Sequence, residues 1–290
     1  MKITGSKIFN FFNIIFMVLI IFVMAYPLYY VLMASFSDPQ ELSRHVGILL
    51  APLRPFTLDA YRKVFADPQI VTGFMNTAFV LVVGVSVNMV LTVLGAYFLS
   101  VKGPMLSTPI TFMIIFTMYF SGGLVPAYLN LRDLGMLNSL WSLILPVGIN
   151  TSNLIIMRSG FTSIPDSLVE SARLDGASYV QILIRVMIPL AKATLAVIVL
   201  YYAVAHWNSW FSASIYLRSE SKYPLQLVMQ QILKDSEGTI ADGVGADEAA
   251  QVAQLIKYAL IVVTTAPILI LYPFLQKYFV KGVMVGAIKG

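Results

Sequence analysis

Asn150, Thr151, Ser152 and Asn153 follow Pro146 and Gly148 inside a long apolar run, and Tyr201, Tyr202, His206, Trp207, Asn208 and Trp210 close another. Tyr119, Ser121 and Gly122 stand late in a third. Amide groups bond hydroxyls, and flat rings cover C–H surfaces, so these types together suit a ligand that presents both. Polarity is expensive inside lipid, which makes such side chains candidates for a pathway. Tyr119, Asn150, Asn153, Tyr202, Trp207 and Asn208 are the candidates for that pathway. Near a span end such rings more often form an interfacial belt, and a residue such as His206 is more often packed at a helix end than a ligand. Asn76, Asn88, Gly84 and Gly95 suit close packing between helices.

A second chemistry-bearing stretch is polar throughout. Residues 158–190 read RSGFTSIPDSLVESARLDGASYVQILIRVMIPL between strongly apolar neighbours. Pro165 suits a first helical turn, and Asp166 favours the positive end of the helix dipole. Leu168, Val169 and Ala172 share one face, with Glu170, Arg173 and Asp175 elsewhere; Gly176 can end that helix. Ser178 and Gln181 have capping-box spacing for a second short helix through Ile184, and Pro189 precedes the next apolar run. Two readings fit such a hairpin. It lies flat on lipid as an amphipathic element, or it is a knob that enters a cleft in a cytoplasmic protein.

Several chemistries are excluded. The chain has no cysteine, hence no disulfide framework, thiol nucleophile or cysteine metal site. No G-x-x-x-x-G-K-[ST] loop is present to cradle phosphates, and no H-E-x-x-H or G-x-S-x-G motif points to a hydrolase. No catalytic or metal-ligating set is assigned. A proton- or sodium-driven transporter would be expected to carry carboxylates at bilayer depth and often inverted repeats; neither is visible here.

The elements that must position these residues follow from composition. With 290 residues, 58% of them hydrophobic and 11% charged, the chain reads as an integral membrane protein of the all-α class. Its mean hydropathy of +0.81 agrees. Six apolar segments, near 10–35, 71–100, 106–128, 138–157, 187–212 and 252–279, are long enough to cross a bilayer, which takes about 20 helical residues. The first follows Lys2 and Lys7, exceeds a signal-peptide core and reads as a retained anchor. Residues 1–290 are therefore expected to form one transmembrane domain.

Charge sets the expected orientation. With the N-terminus inside, the inner segments gather Lys2, Lys7, Lys102, Arg158, Arg173, Arg185, Lys192, Lys277, Lys281 and Lys289 against Asp166, Glu170 and Asp175. The outer segments are net acidic. Positive residues favour the cytoplasm, which places both termini and residues 158–190 there. Outside, residues 37–68 mix charge, aromatics and proline as a small cap would, and residues 213–250 read as an extracytoplasmic loop. The second of these, ending in EGTIADGVGADEAA, is expected to be mobile until Asp247 caps the sixth helix. Both suit either solvated linkers or a docking surface for an extracytoplasmic partner.

The stretch Glu170-Ser171-Ala172, with Gly176 six residues after the glutamate and Val186-Met187-Ile188-Pro189 beyond, resembles the EAA loop of binding-protein-dependent ABC importers. Ser171, Val186 and Ile188 depart modestly from that pattern. Leu174-Asp175-Gly176-Ala177 is similar to the L-D-G-A run of carbohydrate permeases. The segments Phe120–Pro126 and Leu134–Asn138 and the tail Lys281–Gly290 look like a subgroup importing complex or acidic oligosaccharides, of which alginate and aldouronate systems are examples.

That resemblance implies a type I ABC importer permease: the shorter of two permeases in a pseudo-symmetric pore, with six transmembrane helices and a cytoplasmic EAA coupling-helix loop. Glu170, Ser171, Ala172, Asp175, Gly176 and Ala177 would fall on the element lodged in the ATPase, and residues 281–290 would touch the ATPases as well. The implied partners are a second permease subunit, two cytoplasmic ATPase subunits that bind ATP and Mg, and an extracytoplasmic solute-binding protein. No cofactor is implied for this chain, and no nucleic acid. The implied location is the bacterial cytoplasmic (inner) membrane. A permease for an amino acid or phosphate would use the same EAA device and is the alternative; the L-D-G-A run argues against it.

Overall fold

The computed structural model describes residues 3–101, 107–241, 255–270 and 273. Every regular element among them is helical. The first helix, α1 (Ile3–Ser35), runs 33 residues and keeps Pro27 inside it. Short helices follow: α2 (Pro39–Arg44), started by the Asp38 carboxylate, which accepts from the N–H groups of Gln40 and Glu41, and α3 (Asp59–Ala66). Then comes α4 (Pro68–Ser100), again 33 residues. At about 1.5 Å per residue, helices of this length exceed the hydrocarbon core of a bilayer.

The remaining apolar runs are broken. The third is expected to be one span, yet α5 (Ser107–Tyr119) and α6 (Leu124–Asp133) meet at 114°. The break is FSGG, where Gly123 takes φ +87, a conformation that disfavours a side chain. In the fourth, 3₁₀ turns at Leu140–Leu143 and Leu145–Val147 lead at 50° into α7 (Thr151–Thr162). Helices α8 (Asp166–Leu174) and α9 (Tyr179–Ile182) come next. A π-helical turn, Leu183–Met187, joins α9 to α10 (Ile188–Leu190). That Tyr179–Leu190 arm meets α11 (Lys192–Trp207) at 85°. By length and composition, two helices are able to cross a membrane, or five if each bent pair is one span.

The last part is α12 (Trp210–Tyr216), α13 (Leu225–Ala241) and α14 (Leu255–Ile270). The loop expected over 213–250 is thus helical through much of its length. The sequence reason is the spacing of Leu225, Val228, Met229 and Ile232, one apolar stripe at helical period. Leu225, Leu227 and Val228 are buried. Residues 242–250, including Asp247, lie outside the described residues, as do Lys102 and the tail 281–290.

Two compact units result. In the first, which holds residues up to 70 and 229–266, the segment after α1 folds back upon it. Tyr26 Oη accepts from the Leu49 N–H at 3.0 Å, and Tyr29 Oη donates to the Leu50 carbonyl at 2.6 Å. Phe36 stacks between Phe56 and Tyr61, with ring centroids 5.3 and 5.1 Å away. The second unit, built on residues 71–228, has its core among α4, α7, the α9–α10 arm and α11: Ala96, Leu154, Met157, Phe161, Ile182 and Ile198. Small residues let these helices approach closely, as packing without a water-driven force requires. A Cβ on Gly95 would stand 3.0 Å from Leu154 Cδ1.

Candidate functional site

Residues 158–190 form two short helices around a tight corner. Asp166 opens α8 directly after Pro165, which takes the cap position rather than the first turn. At the other end the Gly176 N–H donates to the Arg173 carbonyl at 3.0 Å, and the Ala177 N–H to the Ala172 carbonyl at 2.9 Å. These are the two bonds of a Schellman cap, closed by Gly176 at φ +78. Two residues on, Ser178 and Gln181 make the reciprocal capping box that starts α9. The Arg173 guanidinium lies 5.3 Å from the centroid of the Tyr179 ring, across the corner.

This corner has an inward and an outward side. Val169, Ala172 and Ala177 pack against the core that holds Tyr97, Phe161 and Met187. Glu170, Ser171, Asp175 and Gly176 are exposed. So are Leu174, at 89%, and Tyr179 and Val180. The six residues singled out on the EAA stretch therefore divide: Ala172 and Ala177 hold the corner down, and the other four face outward. Behind the corner, Arg158 Nε donates to the Leu99 carbonyl at 3.1 Å and satisfies one of the open groups at the end of α4.

The second candidate set gathers at the break before α7. Asn88 Nδ2 donates to the carbonyls of Val147 (2.7 Å) and Gly148 (2.9 Å), which the break leaves without helical partners. Its Oδ1 meets His206 Nε2 at 2.6 Å. Tyr202 Oη accepts from the Asn150 N–H at 2.9 Å and bonds Thr92 Oγ1 at 2.7 Å. The Asn150 side chain then accepts from the Asn153 N–H and starts α7. Helices α4 and α11 thus supply the bonds that the broken backbone lost, as lipid demands.

Beside this network lies a cavity of about 380 Å³. Asn150, Asn153, Tyr202 and Asn208 all line it. Trp207 does not: it is buried edge-on to Phe74, at 6.5 Å. Tyr119 is 78% exposed at the end of α5, also outside the lining. A sequence pattern places a ring on a helix but not on a side of it. Asn88 was legible only as a packing residue, because the carbonyls it serves are freed by a break some sixty positions away. Ser142, Ser209 and Ser212 also line the cavity; short hydroxyl side chains in apolar runs gave no signal to find them.

No protein-family model matches the chain. It is 41% identical over 268 residues, 91% of its length and 92% of the relative's, to the polygalacturonan/rhamnogalacturonan transport system permease protein YtcP of Bacillus subtilis (strain 168). To the protein LplC of the same organism it is 39% identical over 289 residues, covering 99% of this chain and 96% of that one. Among solved structures, it is similar to a chain of a bacterial ABC transporter involved in the import of the acidic polysaccharide alginate. The TM-score is 0.85 at 34% identity, covering 95% of this chain and 98% of the other.

Proposed function

The chain belongs to the permease subunits of sugar ABC transporters, and from that premise we propose that residues 158–190 are the coupling element of an oligosaccharide importer. Its fold is that of an ABC importer permease, and its place is a membrane. The observation that carries the proposal is the two-sided corner at Gly176. Schellman cap and capping box fix its shape, Ala172 and Ala177 seat it on the core, and Leu174, Tyr179 and Val180 are left bare. Exposed apolar residues on a rigid corner fit a cleft in a partner protein.

In this reading the partners are a second permease, two ATPase subunits that bind ATP and Mg, and a solute-binding protein. The chain crosses the bacterial cytoplasmic membrane six times with both termini inside, which the charge distribution supports. Closure of the ATPases moves Glu170, Ser171, Asp175 and Gly176 with the cleft, and the pore opens alternately to either side. The solute is an acidic oligosaccharide, a reading supported by the names of YtcP and of the alginate transporter.

The test is ATPase activity of the complete complex in lipid, with uronate-loaded binding protein, comparing wild type with Glu170→Lys and Gly176→Pro. Stimulation by the loaded binding protein, lost in variants that still assemble, supports the coupling role. Variants that respond like wild type make the corner an interfacial hairpin lying on lipid and end the proposal.

A further inference from the structure

The cavity beside the broken fourth segment differs from an acid-binding site. No Asp, Glu, Lys or Arg is among the described residues that line it. The imidazole there, His206, spends its Nε2 on Asn88. What lines the space is amide and ring: Asn150, Asn153 and Asn208 with Tyr201 and Phe211. Tyr201 and Phe211 both expose large parts of their rings.

One group there lacks a partner. Ser209 Oγ is shielded from solvent and meets no hydrogen-bond acceptor or donor among the described residues. An oxygen that water cannot touch is closed to a ligand as well, so Ser209 brings its carbon surface and not its hydroxyl to the lining. Asn208, one position before it, has an exposed amide that donates to its own helix at Val204 O (3.0 Å), which leaves its carbonyl oxygen for a ligand. A cavity of about 380 Å³ falls within the range of ligand pockets, roughly 300–1,000 Å³.

We propose that this cavity is a charge-neutral saccharide subsite, which binds the hydroxyls and C–H faces of the transported oligosaccharide and takes no part in reading its carboxylates. A carboxylate placed here would leave water and find no cation in the lining, a cost that no contact of this wall offsets. The acid groups of the solute are then recognised outside this cavity, elsewhere in the complex. This inference rests on the proposed import of acidic oligosaccharides and adds where, within that solute, this subunit makes its contacts.

Uptake of trigalacturonate and of an alginate trisaccharide into proteoliposomes containing the complete complex tests it. Asn208→Ala should raise KM about five- to tenfold, the equivalent of one hydrogen bond, with kcat changed less. Asn208→Asp should keep KM within about twofold of wild type, since a carboxylate accepts from sugar hydroxyls as well as an amide does. Uptake by Asn208→Lys above wild type, or by Asn208→Asp far below Asn208→Ala, would mean that a solute carboxylate sits here and would overturn the neutral subsite. An Asn208→Ala variant that keeps the wild-type KM would mean that water or a partner side chain fills the cavity, which overturns it equally. If the wild-type complex takes up neither trisaccharide, the import proposal itself fails and this inference goes with it.

Discussion

His206 Nε2 and Asn88 Oδ1 lie 2.6 Å apart between α11 and α4, and the same Asn88 amide bonds the two carbonyls that the break before α7 leaves open. One buried contact therefore ties three segments. Neither side chain could be replaced by a hydrocarbon of equal size without leaving Val147 and Gly148 unbonded or Asn88 half used.

Gly84 makes that contact possible. A Cβ at this position would stand 2.6 Å from His206 Nε2 and 2.8 Å from Cε1, so Gly84→Ala should displace the ring. The expected loss is about 1–3 kcal/mol, the usual range for overpacking. Gly95→Ala, which meets only the end of the flexible Leu154 side chain at 3.0 Å, should lose less. Thermal unfolding of both purified variants in detergent measures the difference; equal midpoints would contradict the account of the network.

Gly176→Ala separates backbone strain from crowding. Nothing lies within 4 Å of the Cβ that alanine would add, but φ is +78. The cost should be about 1–2 kcal/mol of left-handed strain alone. Gly176→Asn, whose side chain tolerates that region, should recover a good part of it. Amide hydrogen exchange at Gly176 and Ala177 reports whether the cap has opened; unchanged protection in the alanine variant would refute the assignment.

Leu174→Asp places a charge on a residue that touches little of its own chain. Folding should be nearly unaffected, within about 0.5 kcal/mol as for other surface changes. Recovery of the ATPase subunits with the tagged permease should fall severalfold. Full recovery of the ATPases would remove Leu174 from the docking face.

Arg158→Met keeps the length of the stem and deletes the donor to the Leu99 carbonyl. The expected loss is about 1.5–3 kcal/mol, as for a hydrogen bond to a charged group. Arg158→Lys should retain a part of it, since the end of α4 favours any cation. Denaturation midpoints in detergent rank the three proteins, and a methionine variant as stable as wild type would show the bond to contribute nothing.

Much of the corner at residues 166–182 is legible in the sequence, because its signals are local: proline and acid at a start, glycine at a stop, a serine and glutamine three apart. The apolar runs are legible as well, but their bends only partly so. Pro146 and Gly148 mark the fourth break, whereas the 85° turn at Ala191 has no strong sequence mark beyond Pro189. Side-chain destinations are least legible. Asn150, Asn153, Tyr202 and Asn208 meet at one cavity while Trp207, next to Asn208, turns away. Which side of a helix faces a cavity depends on partners far away in sequence, and period alone does not carry that information.

The near-right angle at Ala191 makes a bell-crank of two helices. One arm, Tyr179–Leu190, is about 18 Å long and the other, Lys192–Trp207, about 24 Å, at 1.5 Å per residue. If the two arms turn as one body about Ala191, a sideways pull on Tyr179 tilts the longer arm, with travel multiplied by roughly four-thirds at its far end. That far end is where His206 holds Asn88 and where Asn208 borders the cavity. The shape of the linkage alone thus sets a ratio somewhat above one: a displacement at Tyr179 that turned both arms together would be enlarged, not reduced, at the cavity.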